Sequence, residues 1–244
     1  MIKLTLPPKP QKLTENEARL TAEFQADNNK TVWKQSYIAG PLLAMSHNKC
    51  AFSETKLNEE SKYMEIEHFR HKKQYPGDVV KWGNLLPSCK TCNTAKGEWD
   101  VVNDPIVNPL TDEPGAHLYV KGCRFYAKDQ KGKNTIEAVE LNNDNHFVVP
   151  RFKEAAAIAG QLEEKLDNLK NATTPRERHI RLNKIKLVLG QCGPGHPYSA
   201  VIATYLLYEF PPFETMVEYI KNQGLWDDDL EDLTEMLRKL ALPE

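Results

Sequence analysis

The chain has 244 residues and a formal net charge of −2, with 32 Lys+Arg against 34 Asp+Glu. That length suits one large domain or a small module joined to a second domain, and that balance excludes a histone-like protein coating nucleic acid through overall positive charge. A mean hydropathy of −0.59, with no run of about 18–20 apolar residues, excludes a helical membrane span and describes an ordinary globular chain.

The first residues, MIKLTLPPKPQKL, lack an apolar stretch followed by a small-residue cleavage site. No signal peptide is expected and the chain reads as cytoplasmic. Its 5 cysteines are an odd number. In that setting reduced thiols or metal ligands are expected rather than a disulfide framework.

Pro7-Pro8-Lys9-Pro10 predicts an extended start. Thr14 and Glu17 at capping-box spacing, with Leu20 and Phe24 one turn apart, predict a helix. A second short helix is expected over 31–45, interrupted near Gly40-Pro41. From His47 to Gly97 the composition shifts to Cys, His, Asn, Lys and Glu with poor hydrophobic periodicity. Such a segment has no large apolar core of its own, so a metal or the rest of the chain must hold it. Residues 101–150 read as irregular with short strands, with turn chemistry from Asn108 to Pro114 and an exposed loop from Lys128 to Asn134 between two strands.

From Arg151 the pattern is helical. Ala155, Ile158, Leu162, Leu166 and Leu169 form one stripe at three- and four-residue spacing. Thr173-Thr174-Pro175 starts another helix, expected to end at Gly190. Further helices are expected over 199–209, 213–223 and 228–240. The organisation expected is α+β in three parts: an N-terminal extended segment and helices (1–46), a Cys/His/Asn-rich module with its short-strand region (47–150), and a helical region suited to partner docking (151–244).

The chemistry concentrates in 65–97. Cys89-x-x-Cys92 has the spacing of two thiolates on one ion. A redox pair uses the same spacing but belongs in a βαβ context, which is missing here. Cys50, about forty residues upstream, makes a paired zinc knuckle plausible. Its expected fourth thiol stands at Ser53 instead, which leaves His47, Cys123, water or no zinc at all as the alternatives. Glu67-His68 suits phosphodiester hydrolysis: a carboxylate holds a divalent ion and a neutral imidazole takes a proton from water. Asn84 has the side chain to pin a loop, and Asn93 to offer a carbonyl oxygen to a hard cation.

Arg70, Lys72, Lys73, Lys81, Lys90 and Lys96 make the module locally basic, as a phosphate-binding surface requires. His71 reads as an exposed basic residue, with a phosphate contact or an alternative metal ligand as the other readings. Arg176, Arg178, Arg181, Lys184 and Lys186 read as a solvated helix face or a second patch for nucleic acid or an acidic partner. Gly193-Pro194-Gly195 is no phosphate loop, so no nucleotide hydrolysis is expected of this chain. Asp227-Asp228-Asp229 reads as helix N-terminal acid rather than a metal cluster.

Taken together, Glu67-His68, then Asn84-Leu85-Leu86-Pro87-Ser88-Cys89-Lys90-Thr91-Cys92-Asn93-Thr94-Ala95-Lys96, resemble the motif of the HNH endonucleases, the ββα-metal finger. Looser similarities in Lys49-Cys50-Ala51-Phe52, in Asn108-Pro109-Leu110-Thr111-Asp112 and in Thr135-Ile136-Glu137 through Leu141-Asn142 extend the resemblance to the PtuB nuclease subunits of Septu-type anti-phage systems, also found in some retrons. The resemblance implies a ββα-metal finger with zinc-knuckle-like cysteines in a mostly helical chain. It implies a general base at His68 and a brace at Asn84 that orients it. It implies Mg²⁺ or Mn²⁺ on Glu67 and Asn93, structural Zn²⁺ on Cys50, Cys89 and Cys92, and substrate contacts from Arg70 and Lys96. It further implies a nucleic-acid substrate (DNA favoured, RNA such as tRNA the alternative) and an ABC-type ATPase partner, PtuA. Asn93 stands where many members carry His, and His71 where relatives often carry Pro. Ser53 and Asn93 keep a second reading open, a catalytically inactive zinc-ribbon-like module that binds nucleic acid or a partner.

Overall fold

The first helix, α1 (Gln11–Ala26), buries Leu13, Leu20 and Phe24 along one face. The second, α2 (Ser36–Met45), buries Ile38 and Leu42 one turn apart. These five side chains meet Val32, Trp33, Val79, Val80, Trp82 and Leu85 in one core, with Ile66 packed against it. The structure is a computed structural model that describes residues 1–59 and 63–244. Its described residues form two compact units, Met1–Leu118 with Tyr126–Asn142, and Tyr119–Phe125 with Asn143–Glu244.

Two expectations for the N-terminal helices need correction. α1 begins at Gln11 after Pro10, so Thr14 lies inside its first turn and bonds the Pro10 carbonyl at 3.4 Å, while Glu17 takes the Lys9 ammonium. The Thr14/Glu17 spacing therefore caps nothing. α2 begins at Ser36 and continues through Gly40-Pro41, held by Ile38 and Leu42 on either side of the proline. The extended N-terminus is tied down by Trp82, whose indole N–H donates to the Pro7 carbonyl at 2.8 Å.

Two strands, β1 (Glu65–His68) and β2 (Leu85–Ser88), pair antiparallel with Glu67 opposite Leu86 and His68 opposite Leu85. Helix α3 (Lys90–Lys96) follows β2 directly. The 69–84 connection returns through two short 3₁₀ turns that deliver Val79, Val80 and Trp82 to the core. Beyond it come α4 (Pro114–His117) and a second two-stranded sheet of β3 (Leu118–Lys121) and β4 (Arg124–Ala127).

Residues 128–134, expected as an exposed loop, enter helix α5 (Gln130–Ala138). Asp129 caps it by accepting the Gly132 N–H at 2.8 Å. Gly132 is buried so tightly that a Cβ there would lie 2.1 Å from the His117 carbonyl oxygen. A glycine that reads as a loop signal is here a close approach of helix and backbone.

The second unit is helical: α6 (Val149–Lys170), α7 (Pro175–Gln191), α8 (Ser199–Thr204), α9 (Pro211–Asn222) and α10 (Asp228–Leu240). The stripe Ala155, Ile158, Leu162, Leu166 and Leu169 is the buried face of α6, as expected. Thr174 and Glu177 form a full capping box at α7. Asp227 caps α10, and Lys186 bridges Asp227 and Asp229, so this acidic run serves the helix start. Residues 205–209 extend α8 as a wider π turn. The fold is thus mixed helix and small antiparallel sheet, and among the described residues no helix is long and apolar enough to cross a membrane.

Candidate functional site: a thiol knuckle and a charged cleft around one hairpin

Cys50 sits in a tight loop closed by its N–H to the Thr55 carbonyl (2.8 Å) and by the Glu54 N–H to its own carbonyl (3.0 Å). The Ala51 N–H donates to Pro87 at 2.9 Å, which docks this loop on β2. Cys89 precedes α3 and Cys92 lies in its first turn. The result brings three buried sulfurs within 4.8 Å of one another. Ser53 Oγ lies 3.7 Å from the Cys89 sulfur and donates to Thr55 Oγ1. His47 does not join the cluster, and Cys123 belongs to the second unit.

Burial opposes ionisation of all three thiols. At Cys50 the hydrogen bonds from Cys89, Cys92 and Ser53 overcome burial and hold the thiol well below its ordinary range. The hydrogen bond with Cys50, with burial behind it, pushes Cys89 up to about 12, and burial with the hydrogen bonds to Cys50 and Cys89 raises Cys92. Three thiols this close ionise together only when a cation shares their charge.

Behind the knuckle, Met1's ammonium and Lys49 both donate to Glu54, at 2.7 and 2.8 Å. Burial opposes the Glu54 charge, but these two cations hold its carboxyl far below the usual carboxylate range.

The hairpin and α3 face each other through matched spacings. Residues two apart on a strand share a face, as do residues three apart on a helix. Glu65 meets the Asn93 amide and Glu67 meets Lys96. Lys96 is 2% exposed, and its ammonium donates to Glu67 Oε1 at 2.6 Å and to the His68 carbonyl at 3.0 Å. Lys96 was expected on a phosphate-binding surface; it is instead a buried clamp between α3 and β1. Burial raises the Glu67 carboxyl above its ordinary value, against the pull of Lys96. Glu67 Oε2 and Asn93 Oδ1 have no partner among the described residues.

His68 is 3% exposed. It packs edge-on against Trp33, with ring centroids 4.7 Å apart, and its Nε2 lies 2.9 Å from the Val79 carbonyl. A carbonyl only accepts, so Nε2 carries the proton. Burial, aided by the nearby Lys72 charge, pushes the imidazole down to about 3. The ring is therefore neutral at pH 7 and its Nδ1 holds a free lone pair.

Asn84 is 5% exposed and ties the chain beyond His68 to the start of β2. Its side chain accepts the Arg70 N–H at 2.7 Å and donates to the Arg70 and Asp78 carbonyls at 3.1 and 3.0 Å, while its own carbonyl accepts from Phe69 at 2.9 Å. Arg70 itself turns to Asp78 at 3.3 Å and lies over the Tyr75 ring.

One cleft of about 830 Å³ is lined by Glu65, Glu67, His68 and Asn93 together with Trp33 and the His71-Lys72-Lys73 turn. Arg70 does not line it. His71, expected to be exposed, is 7% exposed and its Nδ1 is buried without a partner. Glu65 and Trp33 are site residues that the sequence reading did not single out. Only Glu65 carried a usable signal, its position two residues before Glu67 on a strand.

No protein-family model matches the chain. The chain is 37% identical over 249 residues to the Septu protein PtuB of Bacillus thuringiensis, across 100% of this chain and 96% of that relative. It is 29% identical over 170 residues to the Septu protein PtuB of Bacillus mycoides (strain KBAB4), across 56% of this chain and 57% of that relative. With the first of these alignments running through both units and the whole of the cleft, the chain belongs to the Septu PtuB family.

Proposed function

We propose that this chain is an HNH-type endonuclease, dependent on Mg²⁺ or Mn²⁺, that hydrolyses phosphodiester bonds as the effector of a cytoplasmic anti-phage complex with an ABC-type ATPase partner. DNA is the favoured substrate over RNA. The observation that carries this reading is the neutral His68, its Nδ1 lone pair free, in one cleft with the carboxylate of Glu67.

The residues fit a hard divalent cation. Glu67 Oε2 and Asn93 Oδ1 are oxygen donors on the same cleft, and hard cations take oxygen ligands with water completing the shell. Such an ion neutralises charge developing on the phosphate and on the leaving oxygen. The chain's own residues supply the rest. The Val79 carbonyl holds the His68 ring and fixes its tautomer, and Nδ1 takes the proton of the attacking water. Asn84 fixes the turn that follows His68. Lys96 opposes the effect of burial on the Glu67 carboxyl and fixes its orientation.

Cys50, Cys89 and Cys92 fit structural zinc, with Ser53 or water at the remaining corner. In this role zinc would tie the Cys50 loop to the start of α3, while Val79, Val80, Trp82 and Leu85 anchor the rest of segment 47–97 in the core shared with α1 and α2. Elemental analysis of the purified protein is expected to give about one zinc per chain. Cys92→Ala is expected to lose that zinc and to lower the unfolding midpoint. Metal-free protein whose unfolding is unchanged by added zinc would count against this assignment.

The test of the whole reading is cleavage of plasmid DNA and, separately, total RNA, by the chain alone and co-expressed with its ATPase subunit. Cutting that needs Mg²⁺ or Mn²⁺ and stops with EDTA is expected. Tight nucleic-acid binding by the complex with no cleavage under either metal would replace the nuclease with a binding module.

A further inference from the structure

Among the described residues at and beside the cleft, Lys96 is taken by Glu67, Lys73 by Glu98, and Glu65 by the Asn93 amide, while Lys34, which also lines it, is exposed. Lys72 is different. It is half-buried, and no carboxylate among the described residues lies within ion-pair distance of it. Its ammonium sits 5.2 Å above the centre of the Trp33 ring. The same ring packs against His68. An aromatic face holds a partly desolvated ammonium in place but does not neutralise it.

Beside it, His71 presents the buried, unpartnered Nδ1. Its backbone is fixed, because its carbonyl accepts the Gln74 and Tyr75 N–H groups at 3.1 and 2.9 Å. A buried polar atom without a partner is costly, and native structures keep one where a ligand completes it. A cation is a poor candidate for that ligand with Lys72 adjacent. An anion satisfies both groups.

We infer that Lys72 and His71 form an anion subsite that takes a phosphate of the nucleic-acid backbone beside the bond served by His68. The inference rests on the nuclease reading for its substrate, but the subsite itself requires neither metal nor cleavage. Lys72 supplies the charge and the His71 imidazole a directional hydrogen bond, a charge-assisted pair. Trp33 couples this subsite to the base, because one ring positions both Lys72 and His68.

The experiment titrates inorganic phosphate into the full-length protein as purified, without added Mg²⁺ or Mn²⁺ and labelled with ¹⁵N-histidine, with sulfate as a second anion. The His71 resonance, identified by its disappearance in His71→Gln, is expected to move saturably. Lys72→Gln is expected to weaken that response roughly tenfold, and Lys72→Arg, which keeps the charge, to stay within roughly threefold of the parent. For a DNA duplex without added Mg²⁺ or Mn²⁺, Lys72→Gln is expected to flatten the dependence of log affinity on log salt by about 0.9. Thermal unfolding of each variant separates these effects from misfolding.

A His71 resonance that ignores phosphate, or a response that survives in folded Lys72→Gln, would overturn the subsite. Loss of DNA cleavage in Lys72→Gln with an unchanged phosphate response would overturn it too, while leaving the nuclease reading intact. A saturable response in a complex that cuts no polymer would support the subsite and defeat the nuclease reading.

Discussion

His68→Gln is expected to lower nucleic-acid cleavage by about 10²–10⁴-fold, the usual contribution of a positioned general base, in a protein that stays folded. The choice of glutamine follows from burial. His68 fills space against Trp33 and donates to the Val79 carbonyl, so His68→Ala would remove packing and leave that carbonyl without its donor. Glutamine keeps an N–H of similar reach but has no basic nitrogen. Initial rates with Mg²⁺ and with Mn²⁺, read beside unfolding midpoints, check this. A folded variant cutting within about threefold of the parent would remove His68 from the mechanism.

The same burial shapes the pH dependence. Burial and the Lys72 charge push the folded imidazole to about 3, against the Val79 carbonyl, which favours the protonated ring. An unfolded histidine titrates near 6.5. Between these values the unfolded chain binds a proton that the folded chain refuses. This contribution to stability is therefore complete above about pH 6.5 and declines as pH falls, by up to about 1.4 kcal/mol per pH unit. For activity, the base stays unprotonated throughout the neutral range. A histidine-type acid limb centred near 6.5 in kcat/KM is not expected from this residue.

The sequence made the helical second unit readable because its helices bury a single apolar stripe and carry their own caps, as Thr174 with Glu177 and Asp227 show. It failed where local chemistry had a different tertiary use. Thr14 and Glu17 have the spacing of a cap, but Pro10 starts the helix earlier and leaves them inside it. Gly132 reads as a loop residue, yet it is the glycine that lets α5 approach the His117 carbonyl. The three clustered cysteines were visible from spacing, because metal-type thiols repeat at fixed intervals. The burial of Lys96 and His71 was not, because a charged side chain's exposure depends on partners distant in sequence. Lys96 finds its partner 29 residues away. His71 is enclosed by a turn whose path is set by Asn84.

Lys96→Met is expected to destabilise the protein by about 3–5 kcal/mol, because it strands a buried carboxylate. Side-chain exposure at this ion pair is 0% for Lys96 and 4% for Glu67, so water has little access to replace the lost ammonium. Methionine occupies similar volume, which keeps a void from dominating the result. The loss should depend on pH with a definite sign. Burial already raises the folded Glu67 carboxyl, and Lys96 opposes the rise; without it the folded value climbs further above the unfolded value of about 4.3. The folded variant then holds a proton that its unfolded chain has released. Its stability must fall as pH rises through the window between those two values, so Lys96→Met should be closer to the parent at pH 5 than at pH 8. Glu67→Gln in the same background removes the stranded charge and should recover part of the loss. Urea denaturation of the two single variants and the double variant at both pH values reads the coupling directly. Additive losses with no pH dependence would mean that the buried pair does not govern the join between α3 and β1. Recovery in the double variant would show that Lys96 acts through Glu67, holding in the folded protein the ionised carboxylate that the cleft requires.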